Sequence, residues 1–321
     1  MPTYNELKRK LLDYAYQTNV LLTAEFEITS SCNFSCEMCY AKKRDSQLTT
    51  KQWFDIFDMA YDNGMLFALL TGGEIFNRPD FIKIYNYLYD LGVKITLFTN
   101  GSKLNDRILE ALKKRPPEMI TITLYGYDKK SYQDFTKNDS FKQVDMAIDK
   151  LIDNKINLSL RTIPLPKIYQ NLDKIINYVK SKKLHLGYFL YVSKTSDKYK
   201  RLTTKELIDF EFRIKSAFPI NSTNTETRKC GAFKNSYFIN HQGYMQGCAM
   251  MPTPTKKVND NLFETFLELK KQWDEMVDNS PCKNCELENN CMTCIARRYL
   301  EGNIFKCSTY LKDLAEEKQD A

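Results

Sequence analysis

Six short runs of β-branched, aromatic and aliphatic residues recur along the first two-thirds of the chain, and their spacing constrains the fold more than any other feature. They are LTAEFEI (22–28), LFALLT (66–71), VKITLFT (93–99), MITITLY (119–125), NLSLRTI (157–163) and LGYFLYV (186–192). Their starts lie 26 to 44 residues apart, with amphipathic helical patterns between them. Each run therefore predicts one strand of a repeated strand–helix unit. Strands joined through a helix pair in parallel, because the crossover returns the chain to the same end of the sheet. Six units predict an α/β fold, a partial (β/α)6 barrel rather than a closed eight-stranded one. In TTKQWFDIFDMAYDNG, Trp53, Ile56, Phe57 and Ala60 recur at helical spacing behind a Thr49–Gln52 capping box, with Gly64 as the stop. DFIKIYNYLYDLG, DRILEALKK, FKQVDMAIDKLID and LDKIINYVKS read as further helices, as does 203–218 behind a Thr203–Glu206 box.

Parallel α/β folds place their chemistry in the loops that follow the strands. The run SCNFSCEMCY (31–40) follows the first strand with Cys32, Cys36 and Cys39. Gly72, Gly73 and Glu74 follow the second strand, Asn100 and Gly101 the third and YGYD the fourth, while Arg161 stands near the end of the fifth. All of these motifs fall on one rim. The ten cysteines are clustered: three lie within 32–39, seven within 230–307, and none between. Small core hydrophobes would be scattered, so the clusters read as metal ligands. Three thiolates on one loop suit three irons of a four-iron cluster and leave the fourth iron open to another ligand.

The spacing C-x3-C-x2-C, as Cys32-Asn-Phe-Ser-Cys36-Glu-Met-Cys39, resembles the signature of the radical S-adenosylmethionine (radical SAM) superfamily, and Gly72-Gly73-Glu74 resembles that family's GGE motif. The resemblance implies a 4Fe–4S cluster on Cys32, Cys36 and Cys39. Its open iron would bind S-adenosylmethionine, which is cleaved reductively to a 5′-deoxyadenosyl radical that takes a hydrogen from the substrate. It also implies that GGE receives the methionine ammonium. In physical terms two glycines admit a close backbone approach and a carboxylate complements a cation. Asn100 and Thr123 resemble cofactor-facing positions, and Arg161 is a candidate carboxylate partner. Asn-Gly is also a common turn, and Thr is an ordinary strand residue. Met38 stands where many relatives carry an aromatic residue.

The C-terminal pattern Cys230, Gly243-x4-Cys248, Cys282-x2-Cys285-x5-Cys291-x2-Cys294 and Cys307 resembles the SPASM extension of radical SAM enzymes, with one residue fewer between Cys291 and Cys294 than usual. That resemblance implies two auxiliary clusters, one on Cys230, Cys248 and Cys294, the other on Cys282, Cys285, Cys291 and Cys307. Three 4Fe–4S clusters would then use all ten cysteines, and the first auxiliary cluster would have an open or non-cysteine iron. Taken alone, residues 282–294 also match a zinc pattern. The histidines, His185 and His241, have no ligand-like neighbours in the sequence.

The expected division is a helix over 1–21, the barrel over 22–200, a connecting helix and linker over 201–224, a metal-dependent SPASM domain over 225–312 and a tail over 313–321. STNTETRK (222–229) reads as the boundary. No stretch reaches the ~20 apolar residues of a membrane span. The net charge of +7 is spread over scattered lysines, without the basic stripe that nucleic-acid binding needs. Reduced cysteines and the absence of a signal peptide point to an anaerobic cytoplasmic enzyme.

By resemblance to SPASM enzymes, the expected function is oxidative modification of a ribosomally made peptide, through a thioether or carbon–carbon crosslink or another side-chain or α-carbon oxidation. An electron donor such as flavodoxin or ferredoxin is implied. Ala249 follows Cys248 where sulfatase-maturing relatives carry an acid, which disfavours that activity. With 21 residues before the first strand, leader recognition is expected to use a separate binding protein or the enzyme surface. Two alternatives are a radical SAM enzyme acting on a small cofactor precursor and a non-catalytic iron–sulfur or zinc protein for electron transfer or sensing.

Overall fold

The computed structural model describes residues 3–36, 38–39, 47–189, 192, 200–219, 230–282, 285–287, 291 and 294–319. Six parallel strands follow the predicted runs: β1 (Thr23–Thr29), β2 (Phe67–Gly72), β3 (Lys94–Thr99), β4 (Met119–Thr123), β5 (Leu158–Thr162) and β6 (Leu186–Tyr188). The helices are α1 (Tyr4–Thr18), α2 (Thr50–Asp62), α3 (Phe81–Asp90), α4 (Asp106–Lys114), α5 (Lys129–Thr136), α6 (Phe141–Asp153), α7 (Pro166–Gln170), α8 (Leu172–Ser181) and α9 (Thr204–Ala217). Both predicted capping boxes form, at Thr49–Gln52 and Thr203–Glu206. The run at 186–192 is shorter than expected as a strand, and its residues 190 and 191 lie outside the described residues, as does the boundary at 222–229.

The C-terminal segment contributes β7 (Ser236–Ile239), β8 (Tyr244–Cys248), β9 (Met251–Lys257), α10 (Leu262–Asp278), α11 (Ile295–Leu300) and α12 (Thr309–Gln319). All nine strands form one sheet, in the order β6-β5-β4-β3-β2-β1-β7-β8-β9. Strand β7 pairs in parallel with β1, from Thr23 opposite Ser236 to Phe26 opposite Ile239, and β8 and β9 continue antiparallel. The C-terminal segment therefore continues the barrel's sheet through β7. It also holds a 17-residue helix, α10, although few periodic runs were legible there. Phe266 and Trp273 of α10 pack on Phe233 at 5.6 and 5.5 Å between ring centroids, and Gly247 leaves no room for a Cβ beneath Trp273.

Strand β1 has two unlike faces. Ala24, Phe26 and Ile28 are fully buried toward the helices, with the Phe26 ring 4.9 Å from Phe57 and 5.9 Å from Trp53 of α2. Thr23, Glu25 and Glu27 alternate with them and are half-buried on the inner face. A parallel strand buried on both faces is usually apolar throughout, so two inward carboxylates mark a polar interior. Helix α1 docks at the opposite end of the strands from the Cys32–Cys39 loop. Tyr4 and Lys8 bond Glu118, Lys8 lies over the Phe67 ring, and the Leu12 carbonyl accepts from Asn235. The last residues, read from the sequence as a helix end, belong to α12, which runs to Gln319. It packs Leu311, Leu314 and Ala315 inward and pairs Lys318 with the buried Glu211 of α9 at 3.0 Å, because a helix with an apolar stripe folds onto the nearest exposed face.

The chain has two tryptophans, Trp53 on the barrel side and Trp273 on the C-terminal side. With Trp273→Phe and Trp53→Phe variants isolating each reporter, fluorescence and far-ultraviolet circular dichroism should trace one coincident denaturant transition in both. A Trp273 signal lost ahead of the circular dichroism would show that the C-terminal segment unfolds separately.

Candidate active site

The rim is assembled by a close backbone contact between the ends of β1 and β2. Gly73 donates its N–H to the Thr29 carbonyl at 2.9 Å, and Glu74 donates to Ser31 at 2.8 Å. A Cβ on Gly72 would stand 2.4 Å from the Thr29 oxygen, and one on Gly73 would stand 2.4 Å from the Ser31 oxygen. Both glycines are thus required by the chain's own backbone, in addition to any ligand they face. The Glu74 carboxylate is fully buried and accepts from Thr99 Oγ1 (2.6 Å), the Asn100 N–H (2.6 Å) and the Phe76 N–H (3.1 Å). Burial pushes its carboxyl up even against these donors. Three of about four lone-pair positions on the carboxylate are engaged, so Glu74 ties β2 to β3 and retains one acceptor position.

Arg78, 5% exposed, clamps both ends of the cysteine loop. Its guanidinium donates to the Ile28 carbonyl at 2.6 Å before the loop and to the Leu48 carbonyl at 2.8 Å after it, and pairs with Asp80 at 2.8 Å. Burial raises the Asp80 carboxyl, but the bonds from Arg78 and Thr50 outweigh it and hold the group below its ordinary range. Within the loop, Phe34 is buried with its ring 6.1 Å from Tyr125, and Ser35 N–H reaches the Thr136 carbonyl. Asn33 is held by Ser102 and Asn100.

Cys32, Cys36 and Cys39 come together on this loop. Burial, then the neighbouring Cys39 and Cys32, push the Cys36 thiol up to about 12, with a Tyr125 hydrogen bond acting in the other direction. Three mutually repelling thiols need cationic compensation to ionise together, and soft iron centres supply it. Among the described residues no three Cys, His, Asp or Glu side chains converge on a single-ion point. A multi-iron cluster gives each thiolate its own iron and does not need that convergence.

Asn100 is 6% exposed and turned toward the cysteine loop, with its amide nitrogen 4.0 Å from Cys32 Sγ and 3.1 Å from Asn33 Oδ1, while its oxygen accepts from Ser102. Thr123 ends β4 directly opposite Arg161. Arg161 lies between Phe98 and Phe189, 5.3 and 5.9 Å from the ring centroids, and burial holds its guanidinium below its ordinary value. Among the described residues no carboxylate pairs with it. Gly187 opposite makes room for its side chain.

Several of the C-terminal thiols influence one another. Burial and then Cys294 and Glu25 raise Cys230, while burial and then Cys294 and Cys230 push Cys248 up to about 12. Cys307 is raised by burial and then by Cys282 and Cys285. Cys291 donates its N–H to the Leu287 carbonyl at 2.8 Å, and the buried Arg298 contacts Cys282. His241, with no partner legible in the sequence, is 3% exposed, and its Nδ1 lies 2.6 Å from Glu27 Oε2 on β1. The carbonyl of His241 accepts from Leu48 at 2.8 Å, so this pair braces the same loop end as Arg78. Sequence reading also passed over Arg78, Glu25 and Glu27, and it singled out Tyr125 only within the YGYD motif. The two glutamates alternating with apolar residues on β1 were the available signal.

The family profile for the radical SAM superfamily matches residues 26–179. Residues 26–179 are a radical SAM domain. Its bounds run from β1 to α8 and include every rim residue described above. In sequence the chain is similar to the antilisterial bacteriocin subtilosin biosynthesis protein AlbA of Bacillus subtilis, 34% identical over 140 residues, covering 42% of this chain and 31% of that protein. It is also similar to the AdoMet-dependent heme synthase of Methanosarcina barkeri, 29% identical over 122 residues, covering 37% of this chain and 35% of that one. The chain thus spans about a third of the length of these curated relatives. In structure it resembles Streptococcus suis SuiB, solved bound to S-adenosylmethionine, at a TM-score of 0.74 and 16% identity over 97% of this chain and 84% of that one. This likeness extends the shared fold through the cysteine-rich segment. A radical SAM domain implies a 4Fe–4S cluster and S-adenosylmethionine, and the Cys32–Cys36–Cys39 loop has the donor chemistry to hold that cluster. No helix among the described residues is long and apolar enough to cross a membrane.

Replacing Arg78 by Met leaves two carbonyls and Asp80 without their cation, and is expected to cost about 2–4 kcal/mol in denaturant unfolding. Asp80 has a depressed carboxyl pKa, so its contribution is present above the ordinary carboxyl range and fades as pH falls. The gap between wild type and Arg78→Met should therefore narrow below about pH 4. Gly73→Ala should cost ~1–3 kcal/mol through overpacking against Ser31, read in the same titration.

Proposed function

We propose that the chain is a radical SAM enzyme that modifies a peptide. The observation that carries this reading is the likeness to SuiB across 97% of the chain, cysteine-rich segment included, because SuiB has also been solved bound to its precursor peptide SuiA. Similarity to AlbA, a bacteriocin biosynthesis protein, supports the same substrate class. When bound, the cluster and S-adenosylmethionine supply a 5′-deoxyadenosyl radical for hydrogen abstraction.

Cys32, Cys36 and Cys39 hold that cluster, and the Tyr125 hydrogen bond to Cys36 tunes it. The Gly72–Gly73–Glu74 edge receives the methionine ammonium through backbone carbonyls and the free acceptor position of Glu74. Asn100 and Thr123 line the cofactor's approach. Arg161, a cation between two aromatic rings, takes a carboxylate of cofactor or substrate. Cys230, Cys248 and Cys294 hold one auxiliary cluster, and Cys282, Cys285, Cys291 and Cys307 hold another, in a SPASM arrangement. An electron donor of the flavodoxin or ferredoxin type serves these centres, and leader recognition falls to a partner protein or to the enzyme surface. A thioether or carbon–carbon crosslink fits this equipment. Similarity to the heme synthase favours a second reading, oxidation of a small cofactor precursor.

Anaerobic incubation of the reconstituted enzyme with dithionite and S-adenosylmethionine should release 5′-deoxyadenosine, and Cys36→Ala should reduce it to background. A short precursor peptide encoded beside the gene should raise turnover and change in mass. Product formed without any peptide effect, but stimulated by a porphyrin precursor, would favour the small-molecule reading. Product persisting in Cys36→Ala would refute the radical mechanism.

A further inference from the structure

The cysteine loop reaches the surface between two cationic segments. Ser35 and Cys39 are exposed, so the elements around the loop do not seal it. On one side the Asn33 amide donates to Ser102 Oγ at 2.9 Å. Lys103 follows Ser102 directly, and Arg107 stands in the first turn of α4. On the other side the Ser35 N–H reaches the Thr136 carbonyl at 3.3 Å, and the Asn138 amide donates to the Asn33 carbonyl at 3.2 Å. Lys137 lies between these two contacts, and Lys142 stands in the first turn of α6. Lys150 of α6 and Asp106 of α4 pair at 2.6 Å, so the two segments are neighbours and form one face.

Lys103, Arg107, Lys137 and Lys142 are all exposed. Lys103, Arg107 and Lys142 form no ion pair among the described residues. Lys137 reaches the Asp134 carbonyl at 3.1 Å, a contact that leaves its charge unbalanced. The acids interspersed with these cations are mostly spent elsewhere. Asp106 is taken by Lys150 at 2.6 Å and Asp139 by Lys129 at 2.7 Å. Asp134 is then the interspersed acid without an ion pair among the described residues, and the face keeps an excess of positive charge. The cations come from three elements, so no run of like charge in the sequence marks them. Such a field draws an oppositely charged partner and sets its orientation on arrival.

Resting on the radical chemistry proposed above, which consumes one electron for each S-adenosylmethionine cleaved, we propose that the face formed by Lys103, Arg107, Lys137 and Lys142 is the docking site of an acidic one-electron carrier protein. The carrier is oxidised by one electron and the cluster of the Cys32–Cys39 loop is reduced by it, with no bond made or broken in the complex. Electron transfer between proteins weakens steeply with distance, so a carrier has to settle where the cysteine loop itself comes to the surface. Carriers of the flavodoxin or ferredoxin type present acidic surfaces, and this face supplies the complementary charge. The contacts to Asn33 and Ser35 hold the cationic segments against the loop, so a carrier seated on them is brought up to the cysteines.

The test uses the full-length reconstituted chain and an acidic flavodoxin as the carrier, under anaerobic conditions. Affinity is read from the flavin fluorescence, and electron delivery from the 5′-deoxyadenosine released when reduced flavodoxin is the sole reductant. Lys103→Glu, Lys137→Glu and Lys142→Glu combined should weaken binding at low ionic strength by at least about tenfold, and slow flavodoxin-driven release by a similar factor. Added salt should slow the parent and leave this variant little changed. Release driven by excess dithionite, a small reductant that needs no docking face, should stay within about twofold of the parent. A second combination, Lys94→Glu, Lys205→Glu and Lys271→Glu, makes the same change of charge at exposed lysines of β3, α9 and α10, and should match the parent throughout. The proposal is overturned if flavodoxin affinity or flavodoxin-driven release in the first combination stays within about twofold of the parent. It is overturned equally if the second combination loses as much, or if dithionite-driven release falls by the same factor. Absence of product from the parent with dithionite would overturn the radical chemistry instead, and the affinity comparison then judges the docking face by itself.

Discussion

Strand β1 is hydrogen-bonded in parallel on both edges, to β2 and to β7, and it leads directly into the Cys32–Cys39 loop. Its outer face is locked by Phe26 against Trp53 and Phe57. Its C-terminal end passes directly into the Cys32–Cys39 loop, where the contact of Thr29–Ser31 with Gly72–Gly73 sets the loop's starting direction. Its inner face carries Glu27 toward His241. A strand held on both edges and one face has little freedom left, so groups on its remaining face are presented rigidly. That is the condition a functional site needs.

The thiol groups share one electrostatic problem. Burial and mutual repulsion raise Cys36, Cys248, Cys230 and Cys307 above the ordinary thiol range, so without metal these groups favour the protonated form near neutral pH. Metal binding reverses the balance, because each iron stabilises the thiolate it binds. The protein backbone prepares the loops first: Arg78, His241 and Asn33 fasten the Cys32–Cys39 loop through carbonyls and amides that do not involve sulfur. Loop placement and metal loading are thus separate contributions, the first borne by polar clamps and the second by the thiols.

The radical SAM domain accounts for 26–179 and for the rim, but its fold serves many reactions, and substrate choice resides in what surrounds it. Here the surroundings are the sheet extension β7–β9, helix α10 and the cysteine-rich turns. Arg161 between Phe98 and Phe189 adds a cation without a carboxylate partner among the described residues.

From the sequence alone the six parallel strands, the capping boxes and the Cys-x3-Cys-x2-Cys and GGE motifs were legible, because period, spacing and local hydrogen bonding are written over short stretches of chain. The grouping of Cys32, Cys36 and Cys39 followed from the same proximity. Only the tertiary structure decided that the C-terminal segment continues the barrel's sheet, since the pairing of β7 with β1 joins residues more than two hundred positions apart. The same holds for the Arg78 clamp and for the partnership of Glu27 with His241. Local patterns record which face of an element is apolar. They carry no information about which distant polar groups meet once those faces are buried, and in this protein those meetings build the site.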